Sequence, residues 1–123
     1  MPETNGSPLA PGQIPPGVEK ASPVVDLSGI EANLFAALTP LGLVHLHLFN
    51  EPLTVTSGRD SVHVPSSKHG RGMAVDLRIT DKRPEDIPCF LLILRVMCAR
   101  FGLACFDESY LPGEPHIHLE RCE

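Results

Sequence analysis

Two segments far apart in the chain restrict its fold more than anything else in it. Ser67-Lys68-His69-Gly70-Arg71-Gly72-Met73-Ala74-Val75-Asp76 carries a histidine and, seven residues on, a carboxylate, and it leads into an apolar run. Near the other end stands His116-Ile117-His118. Residues two apart on a strand share a face, so His116 and His118 project together while Ile117 and Leu119 enter the core. By the same rule Asp76 projects opposite to Val75 and Leu77. If the two strands are antiparallel neighbours, Asp76, His116 and His118 converge on one face, and His69, at the mouth of its strand, completes the cluster. A charged aspartate on so apolar a strand is costly to bury unpaired, and a metal ion would account for it.

The other elements supply a scaffold for such a sheet. Ser28-Gly29-Ile30-Glu31 has the spacing of a capping box, and Ile30, Leu34, Ala37, Leu38 and Leu41 recur at helical period, which predicts a helix from about Gly29 to Thr39 closed by Pro40 and Gly42. Leu43 to Phe49 alternates and reads as a strand with His45 and His47 on its less buried side. Leu53-Thr54-Val55-Thr56 reads as another strand, delivering a long polar loop from Ser57 to Gly72 that carries His63, Ser67 and His69. Loops of that length in a compact domain are usually functional. Ala74 to Ile79 reads as a strand, and a second helix starts in Asp81-Lys82-Arg83-Pro84-Glu85-Asp86, with Pro84 and Pro88 in its first turn, runs to about Phe101 and stops at Gly102. That helix is apolar nearly all round, which implies burial on more than one side or a subunit contact. Leu103 to Phe106 and His116 to Arg121 read as the last strands.

A chain of 123 residues is long enough for one core and too short for two. Six of its thirteen prolines precede Val24, among Gly, Ser, Asn and charged residues, so residues 1 to 23 are expected to be a flexible tail unless packing holds them, and residues 24 to 123 the domain. The resulting fold class is α+β: a small antiparallel sheet with the polar cluster on one face and two main helices on the other. A net charge of −5 argues against nucleic-acid or anionic-membrane partners. No secretory signal is visible at Met1 to Gly6, and the most apolar run, Cys89 to Met97, is interrupted by Arg95 and too short for a bilayer span. A soluble protein made in the cytoplasm is expected; its oligomeric state is not legible. The four cysteines lack CxxC spacing and read as small buried hydrophobes in a reducing compartment, with a Cys105–Cys122 bridge as the alternative.

Two imidazoles and one carboxylate form a ligand set for one zinc ion with an open fourth position. Such a centre lowers the pKa of bound water to about 7 and polarises a carbonyl, which makes a peptide or amide the natural target. A carboxylate must then take the proton from water and pass it to the leaving amine. Glu108 and Glu114 are the candidates.

Ser67, His69, Gly72, Ala74 and Asp76 spell SxHxxGxAxD. Together with His116-Ile117-His118, this pattern resembles the zinc peptidases that cut D-alanyl-D-alanine or L-alanyl-D-glutamate bonds in peptidoglycan, a family sharing its zinc fold with lysostaphin-type endopeptidases and the amino-terminal domain of hedgehog proteins. Thr56-Ser57-Gly58-Arg59-Asp60 followed by His63 is similar to the lead-in of small members. The resemblance spans about Leu27 to Arg121. It implies that His69, Asp76 and His118 bind zinc, that Arg59 contacts the scissile group or a substrate carboxylate, that Ser67 helps to hold substrate, with His63 as a further contact, and that His116 lies beside the zinc and stabilises the oxyanion or the water. The pattern departs at the base. Small members place Glu-Ser directly before His-Ile-His, whereas here Tyr110 to Pro115 separates Glu108-Ser109 from it; carboxypeptidase members carry Glu-x-Trp-His, which Glu114 misses by one residue. Glu108 is preferred if the extra residues bulge outward, and Glu114 substitutes if they fold over the metal. The function implied is hydrolysis of peptidoglycan stem peptides, and the alternative is a zinc-stabilised, hedgehog-like binding module.

Overall fold

The computed structural model describes residues 14–59, 68, 71–109 and 115–122. Its elements, in chain order, are strand β1 (Val18–Lys20), helix α1 (Ala32–Phe49), strands β2 (Leu53–Ser57) and β3 (Ala74–Arg78), a 3-10 turn (Pro84–Asp86) running into helix α2 (Ile87–Arg100), and strands β4 (Leu103–Asp107) and β5 (His116–Arg121). The strands form one five-stranded sheet in the order β1-β2-β3-β5-β4. The fold is α+β, as expected, but the sheet is mixed: β1 runs parallel to β2, and the remaining pairs are antiparallel. β1 lies in the stretch expected to be a tail. Its pairing and the burial of Pro15 and Val18 show what holds residues 14 to 23; residues 1–13 lie outside the described residues.

The principal departure is α1. One helix replaces the expected helix and strand, and it continues through Pro40 and Gly42 to Phe49. Pro40 removes one backbone donor, normally a strong helix breaker. The helix persists because its buried stripe does: Leu34, Ala37, Leu38, Leu41 and His45 recur at helical spacing and all face the core. The alternation of Leu43 to Phe49 therefore has no structural meaning, since His45 is buried and His47 exposed on different sides of a helix. Gly42 serves packing rather than termination. A Cβ there would lie 2.8 Å from the Pro16 carbonyl oxygen and 2.7 Å from the Val18 side chain, so its absence lets the lead-in to β1 lie directly on the helix backbone. The cap is also shifted. Glu31 itself is the N-cap, its Oε1 accepting from the amides of Asn33 (3.0 Å) and Leu34 (3.3 Å), while Ser28 donates to Asp26 instead.

The helices share one face of the sheet. Leu34, Leu38 and Leu41 of α1 and Phe90, Leu94 and Cys98 of α2 form one core with Val55, Val75, Leu77, Ile117 and Leu119. α2 begins with prolines in its first turns and ends before Gly102, at φ 70°, both as expected. It buries one stripe only, leaving Leu92 and Val96 exposed. All four cysteines are free thiols. α1 is long and apolar enough to cross a membrane by length and composition, yet it packs here against the sheet and α2.

Candidate functional site

The face away from the helices is built by the β3–β5–β4 ladder. Asp76 pairs with His118 and Arg78 with His116 across β3 and β5, while Phe106 and Ala104 of β4 oppose His118 and Glu120. Cross-strand partners share a face, so Asp76, His116, His118 and Glu120 stand together while Leu77, Ile117 and Leu119 go into the core. The antiparallel adjacency expected from the two motifs is present.

Gly72 explains how the first motif enters its strand. Its φ is 75°, and a Cβ there would meet the Gly29 carbonyl oxygen at 2.6 Å. Its own carbonyl accepts from the Glu31 amide at 2.7 Å. The entry to β3 is thereby held against the start of α1, and the Met73 carbonyl goes on to accept from the Arg121 amide at 2.8 Å.

The side chains form a continuous polar chain. Asp76, 8% exposed, brings Oδ1 to 3.0 Å from His118 Nδ1 and 3.7 Å from His116 Nε2. His116 Nε2 lies 2.8 Å from Glu108 Oε1, and the Glu108 amide donates to the His116 carbonyl at 3.1 Å, so the base candidate is fastened to the HxH strand by backbone as well as side chain. His118 Nε2 lies 2.9 Å from Glu120 Oε1, and Glu120 Oε2 lies 2.7 Å from Lys68 Nζ. Burial opposes a charge on His118, but its hydrogen bonds to Asp76 and Glu120 and the charges of Asp76 and Glu108 outweigh that, and its pKa is raised. For Glu120 burial is likewise outweighed, by the bonds to Lys68 and His118, and its pKa is lowered.

No family model, curated protein or solved structure matches this chain. The site is therefore read from its own geometry and from the motifs that carry the resemblance.

Its chemistry calls for positive charge. Three carboxylates, Asp76, Glu108 and Glu120, surround two imidazoles, and both nitrogens of His118 face carboxylate oxygens. Lys68, 2.7 Å from Glu120, and a proton on His118 meet that demand in part, and a divalent cation would meet it more fully. By charge and donor type these residues fit the implied ion. Among the described residues alone, no group of three or more ligand side chains has the arrangement to hold a metal; His69, the third expected ligand, lies outside the described residues, as do His63, Ser67 and Glu114.

The structure thus brings together Asp76, His116, His118 and Glu108. It does not bring Arg59 to them: its guanidinium donates to the Ser28 carbonyl at 3.3 Å and rests on Gly29. Two members of the cluster escaped the sequence reading. Glu120 continues the alternation of His116 and His118 by one more step, a signal that period two alone would have revealed. Lys68, next to His69, had no local signal, because its partner is on β5.

Proposed function

We propose that this protein is a zinc-dependent peptidase that hydrolyses peptide bonds in peptidoglycan stem peptides. The observation that carries the hydrolytic reading is the gathering of Asp76, His116, His118 and Glu108 on the sheet face away from the helices, as two hydrogen-bonded pairs joined by the 3.7 Å contact between Asp76 and His116. The substrate class rests on the resemblance of SxHxxGxAxD and HxH. Asp76 and His118 would hold the ion together with His69. When bound, zinc supplies Lewis acidity and a water of lowered pKa. Glu108 accepts a proton from the attacking water and returns it to the leaving amine. His116, whose Nε2 lies 2.8 Å from Glu108, keeps that carboxylate in place while it is ionised, and once Glu108 has taken up the proton the same Nε2–H can turn to the oxyanion. Arg59, exposed and donating to the Ser28 carbonyl, would contact a substrate carboxylate, as the resemblance implies.

The test combines metal analysis with digestion of muropeptides. Wild-type protein is expected to hold one zinc and to cleave. Glu108→Gln should keep the metal and lose about 10²–10⁴-fold in kcat, whereas Asp76→Ala, His118→Ala and His69→Ala should lose the metal itself. Full activity in Glu108→Gln with loss in Glu114→Gln would reassign the base. Stoichiometric zinc with no cleavage, unchanged in Glu108→Gln, would favour the zinc-stabilised binding module, and no zinc uptake at all would sink both.

A further inference from the structure

The Lys68–Glu120–His118 chain has no part in the proposed hydrolysis, yet it joins the two halves of the site. We propose that Glu120 and Lys68 are a positioning pair: Glu120 determines which nitrogen of His118 is available to a metal ion, and Lys68 holds the Glu120 carboxylate in the orientation that does so. The inference rests on the zinc reading above. A carboxylate only accepts hydrogen bonds, so Glu120 Oε1, 2.9 Å from His118 Nε2, keeps the proton on that nitrogen. Asp76 Oδ1 faces Nδ1 at 3.0 Å in the same way, so both nitrogens can carry a proton in the metal-free protein; a cation shared with Asp76 replaces the proton on Nδ1, and Glu120 retains the one on Nε2. A carboxylate on the far nitrogen is the usual way a ligating histidine is oriented. Glu120 sits between Ala74 and Ala104 in register, small neighbours that leave room for its carboxylate. Its second oxygen is held at 2.7 Å by Lys68 Nζ, which also donates to the Arg121 carbonyl at 3.1 Å. The Lys68 carbonyl accepts from the Met73 amide at 2.7 Å. The residue directly before His69 is thus pinned to both β5 and the start of β3.

The Lys68–Glu120 pair is half-buried and its loss can change stability as well as metal binding, so the test reads metal affinity rather than melting. Zinc affinity of the full chain is measured by chelator competition for wild type, Glu120→Ala, Glu120→Gln, Lys68→Met and the Glu120→Ala/Lys68→Met double variant, and cadmium-113 NMR identifies the imidazole nitrogen coupled to the metal. Wild type should couple through His118 Nδ1. Glu120→Ala should bind zinc about 10–100-fold more weakly, Glu120→Gln, which keeps an acceptor for Nε2–H, should recover most of that loss, and the double variant should be no weaker than Glu120→Ala. Should Glu120→Ala fail to fold, Lys68→Met carries the comparison, with a smaller weakening expected. Unchanged affinity in the folded variants, or coupling through Nε2, overturns the role of the pair while leaving the peptidase reading standing. No zinc uptake by the wild type overturns the peptidase reading, and the pair's role with it.

Discussion

His118 and His45 carry the same imidazole into opposite surroundings. His118 stands between two carboxylates and its pKa is raised. His45, 2% exposed, donates through Nδ1 to the Glu51 carbonyl at 2.7 Å and keeps Nε2 buried without a partner. Its ring packs on Phe49 and Phe90, and the Lys82 ammonium lies 4.3 Å from the Phe90 ring centre. Burial, reinforced by Lys82, outweighs the bond to Glu51 and lowers its pKa below the ordinary 6.5. The unfolded chain therefore binds the extra proton first. The contribution of a neutral His45 is fully present above about pH 6.5 and declines as pH falls toward the folded value, with a limiting slope of about 1.4 kcal/mol per pH unit. Urea unfolding across that window should show the slope in wild type and lose it in His45→Leu. Comparing the two separates His45 from His118, whose contribution in the metal-free protein has the opposite sign: present below its ordinary pKa and lost as pH rises through the raised one.

At the scale of the element, α1 sets intrinsic propensity against packing. Alanine is the better helix former, and Gly42→Ala would stabilise an isolated helix by about 1 kcal/mol. Here the new methyl would press on Pro16, Gly17 and Val18 at 2.7–2.8 Å, so a net loss of about 1–3 kcal/mol is expected in chemical denaturation. Pro40→Ala should act the other way. It restores the missing donor within the helix and should raise stability by about 1–3 kcal/mol. The two substitutions, two residues apart and opposite in sign, test whether Gly42 is a packing residue and Pro40 a tolerated defect. The same two residues make the extent of α1 hard to see in the residue order. Pro and Gly are local stop signals, and Leu43 to Phe49 fits a strand as well as a helix when its histidines are counted as polar. Only the partners of His45, on Phe49, Phe90 and Glu51, put an imidazole into the apolar stripe.

Across the whole molecule, burial sorts the four thiols. Cys89 and Cys122 are exposed, whereas Cys98 is buried and Cys105 half-buried. Burial pushes the Cys98 thiol up to about 12 and that of Cys105 up to about 11. A thiol reagent should therefore modify two cysteines per native chain quickly and all four only in denaturant, counted by intact mass. Rapid modification of Cys105 in the native protein would contradict the packing of β4 against α2. The same layering gives the site its foundation. Ile117 and Leu119 are fully buried beneath His116 and His118, so the rigidity of the HxH pair comes from the core on the other side of the strand.

Much of this was legible in the residue order. Period two in His116-Ile117-His118 and in Val75-Asp76-Leu77 determines which side chains share a face, and the polar residues of the ladder make one such face only if the two strands pair. The sequence also marked β2, β3, β4 and β5 and the stop at Gly102. Tertiary structure decided the rest, for one physical reason: each remaining choice depends on a contact between segments remote in the chain. β1 is a strand because β2 offers it an edge and Gly42 leaves room for its approach. α1 runs on because the sheet and α2 receive its far half. Lys68 and Glu120 meet across the join between loop and strand, and Asp76 meets His118 only because β3 and β5 pair.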